Sequence, residues 1–307
     1  MSAGNYTVIG LGELLWDIFP QGKQLGGAPA NFAYITSLLG DHGIVASRVG
    51  ADDLGEEATR RLHHLRLPTD FLQIDSRYPT GTVNVHVDQQ GQPQYEITQH
   101  VAWDFFELSR EWRTLAGQAA AICFGTLAQR SPASRRAIVE FLKAARPSAI
   151  RVFDVNLRQS FYSAEIILDS AKRANIIKLN HEEMPRVLVL LGAPVNVRQA
   201  DDAREQADWL LRMSGADLIC ITRGERGSLL FSRDGWDEHT GLPINVADTV
   251  GAGDAFTAAL VHHYLRRAPL GTMNEAANRM GAWVASNVGA TPEPDPDILE
   301  KVRNPAN

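Results

Sequence analysis

Residues 149–180 read AIRVFDVNLRQSFYSAEIILDSAKRANIIKLN, and this stretch sets the fold. AIRVF and ANIIKLN are apolar runs rich in branched and aromatic residues, as buried strands are, and the segment around 164–172 between them has helical periodicity. A strand, a helix and a second strand in that order predict a crossover unit, whose strands run parallel under covering helices. The same alternation extends in both directions. Upstream lie AAAICFG at 119–125 and a helix around 134–145. HGIVASRVG at 42–50 precedes a helix that starts at Asp52-Asp53 and carries Leu54, Ala58, Leu62 and Leu65 on one face. Downstream, 216–232 reads as strand, turn and strand, with Gly224 and Gly227 at the turn. The pattern predicts an α/β chain with a mainly parallel sheet covered on both faces.

Ligands of such sheets bind beyond the carboxyl ends of the strands. That rule selects Gly125; Asp154, Asn156 and Arg158; Lys178 and Asn180; and Thr222, Arg223 and Gly224. One further loop stands out. Asp248-Thr249-Val250-Gly251-Ala252-Gly253-Asp254-Ala255-Phe256 runs into an apolar-periodic helix, so its glycines sit at a helix start. Unpaired N–H groups and the positive end of the helix dipole attract anions there, and glycine allows close approach. Asp254, in the first turn, is placed to accept a proton from a group lying against such an anion. An ordinary helix start would also account for the loop taken by itself.

A second glycine-rich segment, Gly26-Gly27-Ala28-Pro29-Ala30-Asn31, opens another apolar-faced helix. Asn31 offers a donor and an acceptor to a polyol, or caps that helix. The pair GGAPAN and DTVGAGD followed by Ala-Phe resembles the two signatures of the PfkB (ribokinase-like) carbohydrate kinases, in the same order and separation. GELLWDIFP at 12–20, VAWD at 101–104 and FDVNLR at 153–158 are similar to the fructokinase subgroup, and the likeness spans 10–291.

The resemblance implies a ribokinase-like three-layer α/β/α core and an ATP-dependent kinase acting on a sugar hydroxyl, with fructose at a primary alcohol as the expected substrate. Asp254 would be the base, and Gly251, Ala252 and Gly253 the anion-binding loop. Asp17, Gly26, Gly27, Asn31, Tyr95, Ile97 and Arg158 would meet the sugar. Asn180, Thr222, Gly224, Gly251, Gly253 and Asn287 would border the nucleotide. Asn180-His181-Glu182-Glu183 matches the family's NxxE string, in which Glu183 acts on Mg2+ through water. Asp248, Val250 and Gly289 would lie at a monovalent cation site such as one for K+. The runner-up substrates are 2-keto-3-deoxygluconate and ribose. The strand-end stretch at 48–55 also resembles the family's.

At Thr80 the period changes to two, with Val83, Val85 and Val87 alternating with Asn84, His86 and Asp88, then a turn at 89–93 and QYEITQH. A one-sided hairpin on an α/β chain is expected to act as a β lid, formed by roughly 13–25 and 80–103, with aromatic residues of VAWD covering the sugar. Its outer face would suit the homodimers of the family. His86 and His100 lack accompanying ligands for a metal. The whole chain, 1–307, is expected to be one kinase domain.

Composition narrows the classes. The chain has 307 residues, 44% of them apolar, with a formal net charge of −6 and a pI near 5.9. No basic run supplies the footprint of a nucleic-acid or membrane-surface protein. Cys123 and Cys220 sit singly in apolar runs and make neither a disulfide framework nor a zinc site. No leader pattern or apolar span of eighteen residues occurs, so the cytoplasm is the expected compartment. Gly10-Leu11-Gly12-Glu13 lacks the third glycine of a dinucleotide fingerprint, and no GxxxxGK[ST] loop is present. A catalytically silent sugar sensor is the alternative from another class, and the intact Asp254 and glycine loop argue against it. Arg266-Arg267 reads as a solvated helix end, and the Pro/Asp-rich tail from Pro292 as extended.

Overall fold

The computed structural model describes residues 5–20, 22–87 and 93–305. The chain begins with β1 (Thr7–Leu11), β2 (Leu15–Phe19), β3 (Gly22–Gly26), α1 (Ala28–Leu38), β4 (His42–Gly50), α2 (Asp53–His64) and β5 (Leu72–Asp75). It continues through β6 (Gly81–Val87), β7 (Pro93–Ile97), α3 (Arg110–Gln118), β8 (Ala121–Phe124), α4 (Pro132–Ala144), β9 (Ile150–Asp154), α5 (Ala164–Arg173) and β10 (Ile176–Asn180). Next come α6 (Glu183–Leu190), α7 (Val195–Arg198), α8 (Ala203–Ser214), β11 (Leu218–Thr222), β12 (Ser228–Ser232) and β13 (Gly235–His239). Three helices close the chain: α9 (Ala252–Leu265), α10 (Leu270–Ala285) and α11 (Pro296–Arg303).

Nine strands form the main sheet in the order β13-β12-β11-β10-β9-β8-β1-β4-β5. From β11 to β5 every pairing is parallel, and only β12 and β13 run antiparallel at one edge. Alternate strand residues feed two cores. Val8, Ala121, Val152, Ile176 and Leu218 meet Phe32 of α1, Phe256 and Leu260 of α9 and Met280 of α10. Ile9, Ile122, Phe153, Ile177 and Ile219 meet Trp112 of α3, Phe141 of α4, Ile167 of α5 and Leu210 of α8. The period-2 alternation of a sheet buried on both faces thus yields the three layers. Contacts are tightest at glycine: a Cβ on Gly10 would lie 2.2 Å from the Pro29 carbonyl, so glycine lets α1 sit directly on β1.

A second sheet, order β3-β2-β6-β7, is built from the 15–26 and 81–97 segments. The expected turn at 89–93 lies, up to 92, outside the described residues, as do the side chains of His86 and Tyr95. Trp103 departs from its expected covering role. It is fully buried in a short 3₁₀ turn (Ala102–Phe105), with the Arg130 guanidinium 3.9 Å from its ring centroid.

Two other expectations, for Arg266 and for the tail, are corrected. Arg266 is no solvated end residue, because its guanidinium pairs with buried Asp41 at 2.8 Å. Arg48 is buried against Asp75 at 2.8 Å, and Asp52 both caps α2 through the Gly55 N–H and accepts from the Thr80 hydroxyl at 2.6 Å, so this stretch braces the entry to β6. The tail is non-helical over 292–295 but folds from Pro296 as α11, because Asp295 accepts from the N–H groups of Asp297 and Ile298 and Pro296 suits a first helical position.

Candidate active site

Asp254 lies in the first turn of α9, whose N-cap is Gly251 with φ +77°. That left-handed conformation and a neighbouring Ala290, whose Cβ would be 2.4 Å from a Cβ on Gly251, both require glycine there. Among the described residues, the N–H groups of Gly251, Gly253 and Asp254 have no acceptor. The Ala252 N–H, expected to join them, donates to the Thr249 carbonyl at 3.3 Å. The loop therefore keeps unpaired donors where an anion would sit.

Asn31 closes the site from the opposite helix. It is the fourth residue of α1 rather than its cap, and its Nδ2 donates to Asp254 Oδ2 at 2.8 Å. Gly27, at φ +112°, is the N-cap; a Cβ there would strike the Glu13 carbonyl at 2.4 Å. A Cβ on Gly26 would lie 2.4 Å from Asp17 Oδ2, so glycine makes room for that carboxylate. Burial pushes the Asp17 carboxyl up to about 6, and the positive charge of Arg158 opposes the rise. No hydrogen bond or ion pair ties the Asp17 carboxylate to another described residue, which leaves both oxygens for a ligand. Ile97 is buried in the core with Val83 and Trp103 and presents little surface to a ligand.

Behind the loop, Lys178 on β10 and Asp154 on β9 face each other in register and pair at 3.1 Å through both carboxylate oxygens. Thr257 of α9 donates to Asp154 Oδ2 at 3.0 Å. The Lys178 ammonium lies 3.0 Å from where a Cβ on Gly253 would be, so a positive charge backs the anion loop. Burial works against that charge, but Asp154, Glu183 and Asp254 outweigh it and hold the ammonium well above its usual range. Burial raises the Asp254 carboxyl to about 6, with Asp154 adding to the rise and Asn31, Lys178 and Arg158 opposing it.

Residues 13–297 match the family described as pfkB family carbohydrate kinase. The chain belongs to that family. It is 28% identical over 269 residues to a fructokinase of Salmonella typhimurium, covering 84% of each chain. The crystal structure of a sugar kinase from Pyrococcus horikoshii in complex with ATP superposes with a TM-score of 0.79 at 26% identity, covering 96% of this chain and 99% of that one. The 2-dehydro-3-deoxygluconokinase of Thermotoga maritima gives a TM-score of 0.82 at 19% identity, covering 97% and 99%, and so shares the fold. The three-layer core with its small second sheet is thus the ribokinase-like fold.

In this carbohydrate kinase the NxxE residues form a reciprocal brace. Asn180 Oδ1 accepts from the N–H groups of Glu182 and Glu183, while the Glu183 carboxylate accepts from Asn180 N–H at 2.8 Å and Leu157 N–H at 2.7 Å. Both Glu183 oxygens are therefore already engaged, and burial raises its carboxyl. Asp154 is taken by Lys178, and no group of three or more His, Cys, Asp or Glu among the described residues could hold a metal. The donor set does not build a protein magnesium cage.

Asp248 gathers the three residues of the expected monovalent site, accepting from Val250 N–H and Gly289 N–H at 3.0 Å each. Thr222 ends β11 with its carbonyl accepting from His181 N–H, and Gly224, at φ +61°, opens the following turn. Asn287 Nδ2 donates to the Trp283 carbonyl at 2.8 Å, closing the end of α10. Val246, Val250 and Val288 are exposed beside the loop. No helix among the described residues is long and apolar enough to cross a membrane.

Sequence reasoning passed over Glu13. It follows β1, is 5% exposed, and lines a cavity of about 20 Å³ together with Pro29, Cys123, Asp154 and Asp254. The strand-end rule that selected Asp154 and Lys178 applies equally to this residue.

Proposed function

We propose that the chain is an ATP-dependent sugar kinase that transfers the γ-phosphoryl group to a primary hydroxyl of fructose. The observation that carries this reading is the Asn31–Asp254 hydrogen bond, which brings the two glycine-rich segments to one point. A sugar hydroxyl between Asp254 and the terminal phosphate would lose its proton to Asp254 while its oxygen attacks phosphorus. Free N–H groups of the loop, backed by Lys178, would stabilise the charge on the transferring group, each donor contributing about 3 kcal/mol. Asp254 is more basic than an exposed aspartate, which suits that task.

Asp17, with both oxygens free, and Asn31 would position the sugar. The second sheet would serve as a lid: its β3 brings Gln24 Oε1 within 3.8 Å of a Cβ position on Gly289, so sheet and nucleotide loop approach each other. Its outer face would also carry the homodimer contact. Adenine would rest among Val246, Val250, Val288 and Asn287, near Thr222 and Gly224. Magnesium would arrive with the nucleotide, held by phosphate oxygens and water, with Glu183 at most an outer partner. K+ at Asp248 would brace the loop.

A second reading has one observation in its favour. Arg158 is exposed, and its charge is felt by Asp17, Glu13 and Asp254 together, so an acidic sugar such as 2-keto-3-deoxygluconate would find a cation beside it. ADP release from ATP and magnesium with a panel of sugars decides between them. Fructose should turn over fastest, and turnover of the keto-deoxy acid without fructose would overturn the assignment.

A further inference from the structure

Glu13 has no part in the chemistry above, yet it belongs to the same space. Its carboxyl is buried between the end of β1 and the start of β2, and among the described residues no cation pairs with it and no other side chain hydrogen-bonds to it. Its own backbone N–H is its one hydrogen-bonding support. A carboxyl is seldom kept buried without a partner, because the ionised form loses its hydration there. The cavity it lines is also lined by Asp254, and at about 20 Å³ it admits a single water but no sugar.

We propose that Glu13 is the proton store of the transfer site, receiving through this cavity the proton that Asp254 takes from the sugar. The inference rests on the sugar-kinase reading of Asp254. As the sugar oxygen bonds to the γ-phosphorus, the bond from phosphorus to the β,γ-bridging oxygen breaks and its electron pair leaves with the nucleoside diphosphate. The hydroxyl proton passes to the Asp254 carboxylate. A water in the cavity then accepts that proton while donating one of its own to the Glu13 carboxylate, so Asp254 is again a base before product leaves. The proton returns to solvent when the site opens.

The charges around Glu13 agree with this direction. Burial lifts its carboxyl to about 7, and Asp254 adds to the rise, while Arg158 and Arg130 oppose it. Of the other titratable groups on the cavity wall, Asp154 is neutralised by Lys178 and the Cys123 thiol is pushed far up by burial. Of the three carboxyls on the cavity wall, Glu13 is the one raised by both burial and the Asp254 charge, which draws a proton leaving Asp254 toward it.

Glu13→Gln keeps the shape and removes the charge. In the full-length enzyme, carbon-13 NMR of the side-chain carboxyls should show the Glu13 midpoint falling in Asp254→Asn, since a negative neighbour is gone. In Glu13→Gln the acid limb of kcat should move to lower pH, because the carboxyl that must be ionised to take the proton is gone, the plateau kcat should drop about tenfold, and the KM for sugar should stay put. Glu13→Asp, which keeps a carboxyl, should recover part of the loss. An unmoved Glu13 midpoint in Asp254→Asn with a superimposable Glu13→Gln pH profile overturns the proposal, as does a loss confined to KM and thermal stability. If Glu13→Gln does not fold, the wild-type Glu13 signal decides: a midpoint near that of an exposed glutamate sinks the idea. If the wild type phosphorylates no sugar, the kinase reading fails, and the NMR titration still judges the coupling of the two carboxyls.

Discussion

Asn31 on α1 and Asp254 on α9, 223 residues apart in the chain, meet in a hydrogen bond of 2.8 Å from Nδ2 to Oδ2. The bond fixes which oxygen of Asp254 is occupied and leaves the other for a substrate proton. Asn31→Ala should lower kcat/KM about 10–100-fold, because a misplaced base loses most of the benefit of orientation. Asn31→Asp sets a second carboxylate against the first, so one of the pair must titrate higher. The acid limb of kcat/KM should then move up by about one pH unit or more. Rate profiles from pH 5 to 9 check both, and an Asn31→Asp profile equal to wild type would contradict the geometry.

The wild-type pH dependence follows from the Asp254 carboxyl near 6. A base works only when deprotonated, so kcat/KM, which reports the steps up to phosphoryl transfer, should fall as pH drops below about 6. The stability sign is the reverse. A carboxyl whose folded value is raised above its unfolded value stabilises the fold at low pH, and that contribution is lost as pH rises through about 6. At pH 8 the ionised Asp254 costs roughly 2–3 kcal/mol. Asp254→Asn should accordingly raise Tm by a few degrees at pH 8, leave it nearly unchanged at pH 4, and cut turnover by about a thousandfold or more. Calorimetry at the two pH values, paired with turnover at pH 8, measures all three effects.

Gly251 and Gly253 should respond differently to alanine. Gly251 holds φ +77° and abuts Ala290, so Gly251→Ala meets both backbone strain and a clash, and should destabilise by about 1–3 kcal/mol. Gly253 lies inside the helix without positive φ, and its added methyl would approach only the Lys178 ammonium at 3.0 Å. Gly253→Ala should keep Tm within about 2 °C, since helix propensity favours alanine, and weaken ATP binding by screening Lys178. Urea unfolding and calorimetric ATP titration separate the two effects; equal loss of stability in both variants would contradict the assignment.

Much of this arrangement is legible in local pattern. The βαβ alternation at 149–180 gives the parallel sheet, and the two glycine-rich helix starts mark the point where α1 and α9 meet. The hydrogen-bonding state of each group is not local. The sequence pairs Asn180 with Glu183 by spacing, but that the Glu183 oxygens accept from the N–H groups of Asn180 and Leu157 depends on two backbones joined only by strand order. Trp103 reads as a cover for sugar, but its burial depends on Gly81 opposite and on Arg130 from another segment. Arg266 likewise finds Asp41 only through the packing of α9. Glu13 is within reach of the strand-end rule, but a single acid after Gly-Leu-Gly has no motif spacing around it, and its meaning comes from the cavity it shares with Asp254.

The Lys178–Asp154 pair offers the clearest separation of stability from function. Both side chains are less than one-tenth exposed, and they are in register on adjacent strands. Lys178→Met leaves Asp154 buried without its cation and should destabilise by about 3–5 kcal/mol. Adding Asp154→Asn removes the stranded charge while keeping an acceptor for the Thr257 hydroxyl, so the double variant should regain most of the lost stability. Turnover should not return with it, because the positive charge behind Gly253 is still missing. A double-mutant cycle in urea, with kcat measured on all four proteins at pH 8, reads both quantities. Recovery of kcat alongside stability would mean that Lys178 serves only to neutralise Asp154 and gives nothing to the phosphoryl group.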